Sequence, residues 1–106
     1  MNNSLRTLKP KFTKYKFTYM LCNRHERVAK YAVLLAGVVI GFEIHKVRIF
    51  GPYDAKYRKP DGTFNVVSYP RQEMLASACE FGQYGWSFQT ERCADAKFKA
   101  LVDSSE

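Results

Sequence analysis

Polar and apolar residues alternate from Lys11 to Tyr19, KFTKYKFTY. In an extended chain Thr13, Tyr15, Phe17 and Tyr19 then share one face, and Phe12, Lys14, Lys16 and Thr18 the other. The pattern predicts a strand with an aromatic side and a basic side, opened by Pro10, which a strand tolerates at its start or on an edge. Further on the period changes. Val28, Tyr31, Ala32, Leu35 and Ala36 fall at helical spacing, Asn23 suits the N-cap, and Gly37 would end the turn series, so a helix is predicted over 24–36. Val38, Val39 and Ile40 start a β-branched run that Gly41 interrupts as a turn, a bulge or a close backbone approach.

Alternation returns in FEIHKVRIF, 42–50, where neither face is purely apolar, as in a strand with one face partly exposed. GPYDAKYRKPDG, 51–62, reads as a loop, and TFNVVSY, 63–69, as the returning strand of an antiparallel hairpin. Pro70 opens a short helical turn that Gly82 ends. YGWSFQ, 84–89, is a third strand carrying the single Trp. Thr90 caps a last helix, 91–103, with the stripe Ala94, Phe98, Leu101 and Val102. These elements predict an α+β fold: a small antiparallel sheet of three to four strands with two helices packed on one face.

A chain of 106 residues holds one modest core, so residues 1–106 are expected to be a single domain. Its parts are a basic arm or edge strand at 1–20, a helix and connector at 21–41, and an α+β body at 42–106. The formal net charge of +7 is carried by the first 30 residues, which hold eight basic residues against one acid. Beyond them the signs balance. Such asymmetry points to a polyanionic partner met by the N-terminal part, through DNA or RNA contact at residues 9–30 or at an anionic surface.

Cys22, Cys79 and Cys93 follow no C-x-x-C or Cys/His spacing, which argues against a disulfide framework and a structural zinc site and fits a reducing cytoplasm. The apolar run 31–42, YAVLLAGVVIGF, has 12 residues, fewer than the roughly 17 a membrane helix needs. It lacks a small-residue cleavage site and reads as a buried element. A membrane partner is disfavoured.

Candidate chemistry is sparse. No catalytic motif, metal-ligand set or cofactor-binding loop is present in the sequence, and no cofactor is expected. His45, among Glu43, Lys46 and Arg48, reads as a half-exposed polar face residue rather than a general base. Cys79 reads as a small buried residue rather than a nucleophile. The candidate partner-binding or nucleic-acid-binding residues are Lys11, Phe12, Lys14 and Lys16, with Lys56, Tyr57, Arg58 and Lys59 repeating the chemistry in the 51–62 loop. Lysines would meet phosphates while rings stack on bases. The competing reading is an edge strand whose lysines face water and discourage pairing. Gly82 and Gly85 place backbone freedom beside Trp86 and Phe88, which reads as packing under the last helix.

Phe42, Glu43, Lys46 and Arg48, followed by Glu80, Phe81, Gly82, Trp86, Phe88, Ala94 and Phe98, resemble a pattern in small uncharacterised proteins of bacteriophages and prophages. The resemblance spans residues 42–98, and residues 1–41 depart from it as an added basic extension. It implies a cytoplasmic, phage-encoded binder in a bacterial host. The expected function is a non-enzymatic protein that engages or inhibits a host nucleic-acid-processing or defence complex by occupying its surface. A direct nucleic-acid-binding accessory protein is the alternative, and a membrane-associated small protein the third.

Overall fold

A computed structural model describes residues 5–104. The first four residues of the expected 1–20 arm and the last two of the C-terminal tail lie outside them. The chain separates into two compact units, Lys9–Val47 with the chain from Leu75 on, and Arg48–Met74 with the segment up to Leu8.

The larger unit is a five-stranded antiparallel sheet with one helix. Strands β1 (Lys11–Lys14), β2 (Phe17–His25), β3 (Val28–Leu35) and β4 (Val38–Lys46) form a meander in chain order. The strand Gly85–Phe88, β9 in chain order, returns to pair with β4, and α1 (Glu91–Ser104) follows it. Consecutive strands are joined by two-residue turns at Tyr15–Lys16, Glu26–Arg27 and Ala36–Gly37, flanked by the pairs Lys14–Phe17, His25–Val28 and Leu35–Val38. Each turn has a left-handed residue in first place: Tyr15, Glu26 and Ala36 have φ of 58°, 52° and 51°.

The register fixes the faces. Val28 and Ile44 join Ala94 and Leu101 of α1 in the buried cluster, with Phe42, Trp86, Phe88, Phe98 and Val102 packed around it. Alternation puts Tyr31, Glu43 and His45 on the opposite side of the sheet. There Phe12 stacks on Tyr19 with ring centres 4.8 Å apart, and its ring meets Tyr31 edge-on. The Tyr31 hydroxyl donates to the Lys9 carbonyl at 3.0 Å, tying the start of β1 to the centre of the sheet. Gly41 sits where β4 bulges against β3, and a Cβ there would lie 2.9 Å from the Phe88 carbonyl oxygen. A close backbone approach therefore requires glycine at this position.

One charged clamp joins helix to sheet. The Lys30 ammonium, 5% exposed as a residue, donates to Glu91 Oε2 and Asp95 Oδ1 of α1, both at 2.6 Å, and lies 5.3 Å from the Phe42 ring centre. Burial alone would lower the Lys30 pKa, but the hydrogen bonds and charges of Asp95 and Glu91 outweigh it and raise it.

The smaller unit is a two-stranded ribbon in two stretches: β5 (Arg48–Phe50) with β8 (Gln72–Met74), and β6 (Tyr53–Arg58) with β7 (Phe64–Tyr69). Arg6 bridges in parallel to Gln72, and the Leu8 amide donates to Glu73 Oε1 at 3.1 Å. Between the stretches Gly51 has φ of 90°, and a Cβ there would lie 2.6 Å from the Pro70 carbonyl oxygen.

Several expectations are corrected. The sheet has five strands where three to four were predicted, and one helix packs on it where two were predicted. The predicted helix 24–36 is the end of β2, a turn, and β3, a central strand buried on both faces. Such a strand shows no two-residue period, and its continuous apolar run imitates helical spacing. The 11–19 segment is a hairpin, so Phe12, Lys14, Phe17 and Tyr19 share a face; the turn reverses the alternation that an unbroken strand would have. The 51–62 loop contains strand β6, and the turn is confined to residues 59–63. The expected helical turn after Pro70 is strand β8 followed by a single 3-10 turn, Ala78–Glu80.

Candidate functional site

The sequence singled out two groups of residues, and each falls on a hairpin. In the first, the repeated Lys-Phe-Thr triplet forms the two arms of β1–β2. Thr13 lies opposite Thr18, and the tip is Tyr15 and Lys16. Tyr15 is 91% exposed. Lys11 and Lys14 point to opposite faces of β1, while Lys16 leaves from the turn with its ammonium 5.8 Å from the Phe17 ring centre. The three cations thus surround the end of the ribbon instead of lining one side. Lys9, Lys11, Lys14 and Lys16 are exposed and form no ion pair among the described residues. Phe12, offered as a stacking ring, spends one ring face on Tyr19, which leaves Tyr15 as the free ring of this hairpin.

In the second group Lys56, Tyr57 and Arg58 belong to β6 and Lys59 to the turn. Lys56 and Arg58 share a face with Phe64 and Val66, whereas Tyr57 lies on the other with Tyr53 and Tyr69. Tyr53 stacks on Tyr69 at 5.0 Å, and the Tyr57 and Tyr69 hydroxyls are 2.9 Å apart. That hydrogen bond is the main reason the Tyr69 pKa is raised. The turn is closed by Asp61, which accepts from the Thr63 amide and hydroxyl at 2.9 and 2.6 Å; these bonds lower the Asp61 pKa.

A third constellation contains His45 and Glu43, read from the sequence as residues of a half-exposed polar face. On the sheet face away from α1, His45 is 2% exposed, so the half-exposed position expected for it is corrected. Its Nδ1 accepts from the Ala76 amide at 3.1 Å, so the ring proton of the neutral form sits on Nε2 and is donated to Glu43 Oε1 at 2.9 Å. Glu43 in turn faces an open groove of about 280 Å³, walled by Phe17, Tyr19, Val33, Ile40 and Ser87. Burial, and after it the Glu43 charge, raises the Tyr19 pKa. The sequence signal was present in Glu43-x-His45. Residues two apart on a strand share a face, but nothing local indicated that this face was covered.

Cys22, Cys79 and Cys93 are free and exposed, which corrects the buried position expected for Cys79. No group of three metal-ligating side chains occurs among the described residues, and none of their helices is long and apolar enough to cross a membrane. Compared with protein-family models, curated proteins and solved structures, the chain finds no match in any of the three.

Proposed function

We propose that this chain is a non-enzymatic binding protein whose β1–β2 hairpin engages the phosphate backbone of a nucleic acid. The observation that carries the reading is the hairpin end itself. Three exposed lysines, 11, 14 and 16, and a free tyrosine ring stand on a ribbon, with Lys9 exposed just before it, and no carboxylate among the described residues pairs with any of the four lysines. Lysines spread around a ribbon suit phosphates on both sides of it, and Tyr15 supplies a stacking surface. The reading makes no claim on base sequence, since phosphate contacts position a protein without specifying bases.

Fluorescence anisotropy of labelled single- and double-stranded oligonucleotides tests it across a salt series. Binding is expected to weaken steeply with salt. The triple change Lys11→Gln, Lys14→Gln, Lys16→Gln should reduce the log–log slope by roughly two to three, at about 0.7 to 0.9 for each phosphate that is no longer neutralised. Binding that ignores both salt and the triple change removes the idea.

A second reading keeps the phage setting implied by the resemblance: occupation of a host nucleic-acid-processing or defence complex in the bacterial cytoplasm. It is favoured by the β6–β7 ribbon, where Tyr53, Tyr57, Phe64 and Val66 are 46–61% exposed. Exposed tyrosine beside arginine is the composition of protein-binding surfaces. Pull-down from a bacterial lysate treated with nuclease separates the two readings. A retained protein partner that no longer binds Tyr57→Ala with Phe64→Ala supports occupation of a complex, and proteins that are retained from untreated lysate but all lost after nuclease treatment exclude it.

A further inference from the structure

We propose that the groove over β2, β3 and β4 is a binding site for an organic cation, an alkylammonium or guanidinium group on a short aliphatic stem. This goes beyond the polyanion reading and uses none of its residues. The Glu43 side chain is 16% exposed, and its one ion-pair geometry among the described residues is with His45. Its Oε1 takes the His45 Nε2–H, the tautomer that the Ala76 amide on Nδ1 sets. Glu43 is therefore a largely desolvated side chain with no lysine or arginine opposite it among the described residues, an arrangement that a bound cation relieves.

The walls suit the rest of such a ligand. Tyr19 and Phe17 offer ring surface beside the carboxylate, where a cation gains from the ring quadrupole. Val33 and Ile40 give apolar contact for a short aliphatic stem. The volume, about 280 Å³, lies at the lower limit for small-molecule sites, so one cationic head and its stem fit while a drug-sized ligand does not. The Tyr19 pKa is raised first by burial and then by the Glu43 charge, which places the hydroxyl and the carboxylate within reach of one another.

Isothermal titration calorimetry on the whole chain tests the site with four probes: agmatine, N-acetyl-arginine methylamide, n-butanol and butyrate. Agmatine, the arginine amide, or both should bind, with the neutral and anionic probes at least tenfold weaker. Glu43→Gln, which keeps the acceptor to His45 and removes the charge, should weaken the cation at least tenfold. Ile40→Arg, at a position 46% exposed on the groove wall, should abolish binding by placing the protein's own guanidinium beside Glu43. It serves as the independent test should Glu43→Gln fail to fold by circular dichroism. Preference for agmatine identifies a free amine as the source, and preference for the amide identifies an arginine carried on a peptide. No binding of either cation, equal binding of butyrate, or undiminished binding in folded Ile40→Arg overturns the proposal.

Discussion

Every buried side chain among the described residues belongs to the sheet-and-helix unit; the Arg48–Met74 ribbon contains none. Both are antiparallel and both are rich in tyrosine and β-branched residues, so composition does not separate them. Layering does. The sheet has α1 on one side and the Phe12–Tyr19–Tyr31 stack on the other, whereas β6 and β7 expose large apolar side chains, Tyr57 and Phe64 among them, on opposite faces. A two-stranded ribbon with large apolar side chains exposed on both faces is marginal in water, which makes this unit the more easily opened of the two.

Core truncation is the strongest way to break that contrast. Ile44 is fully buried in the cluster under α1, and Ile44→Ala should cost about 3 kcal/mol from reduced burial and the cavity left behind. Val66→Ala, 54% exposed on β7, should cost no more than about 0.5 kcal/mol. Denaturant unfolding followed by circular dichroism measures both, and equal losses would mean that the ribbon carries a core of its own. Amide exchange should follow the same division, with Val66 and Tyr57 amides exchanging long before those of Tyr31 and Ile44.

The Lys30 clamp comes next in size, and it is asymmetric. Glu91 and Asp95 are more than half exposed as side chains, so deleting the lysine returns two carboxylates to water. Deleting the two carboxylates instead leaves a buried ammonium with only the Phe42 ring beside it. Glu91→Ala with Asp95→Ala should therefore cost about 2 to 3 kcal/mol, and Lys30→Met about 1 kcal/mol or less, because breaking a pair from the exposed end strands the buried charge. A larger loss in Lys30→Met would show that the carboxylates are the costly members. The pH dependence has a fixed sign. The folded Lys30 pKa is raised, so its stabilisation is complete below the ordinary lysine value and disappears only as the pH rises through the higher folded one. The stability gap between wild type and Lys30→Met should stay flat through neutral pH and narrow only in strong alkali.

Legibility in the sequence followed the same division between local and long-range causes. The last helix and the Trp86 strand were readable because amphipathic spacing, a Thr90 cap and flanking glycines are local signals, and Ala94, Phe98, Leu101 and Val102 do pack on the sheet. β3 was not readable. VAKYAVLL owes its apolar continuity to cover on both faces, one layer of it supplied by α1, whose Glu91 and Asp95 lie 61 and 65 positions beyond Lys30, and no window around the strand contains that fact. The hairpin turns failed for a different reason. Tyr15–Lys16 and Glu26–Arg27 hold neither glycine nor asparagine, so the usual turn chemistry gave no sign that the chain reverses there. The groove could not be found until β2, β3 and β4 were aligned, since Tyr19, Val33 and Glu43 meet only across strands.

The third turn of the meander carries a small, relievable strain in the sheet-and-helix unit. At Ala36–Gly37 both residues have positive φ, 51° and 81°, the combination for which asparagine followed by glycine is preferred between two strands. Alanine has no side chain that favours the left-handed region, so it carries strain that asparagine relieves through its local hydrogen-bonding. Ala36 is exposed and nothing in the core depends on it. Ala36→Asn should therefore stabilise the chain by about 0.5 kcal/mol. The gain should appear as slower exchange of the β3 and β4 amides beside the turn, with the β6 and β7 amides unchanged, because the ribbon opens without unfolding the sheet. Slower exchange in the ribbon as well would show that the two units unfold together, and the contrast between them would then be one of exposure alone.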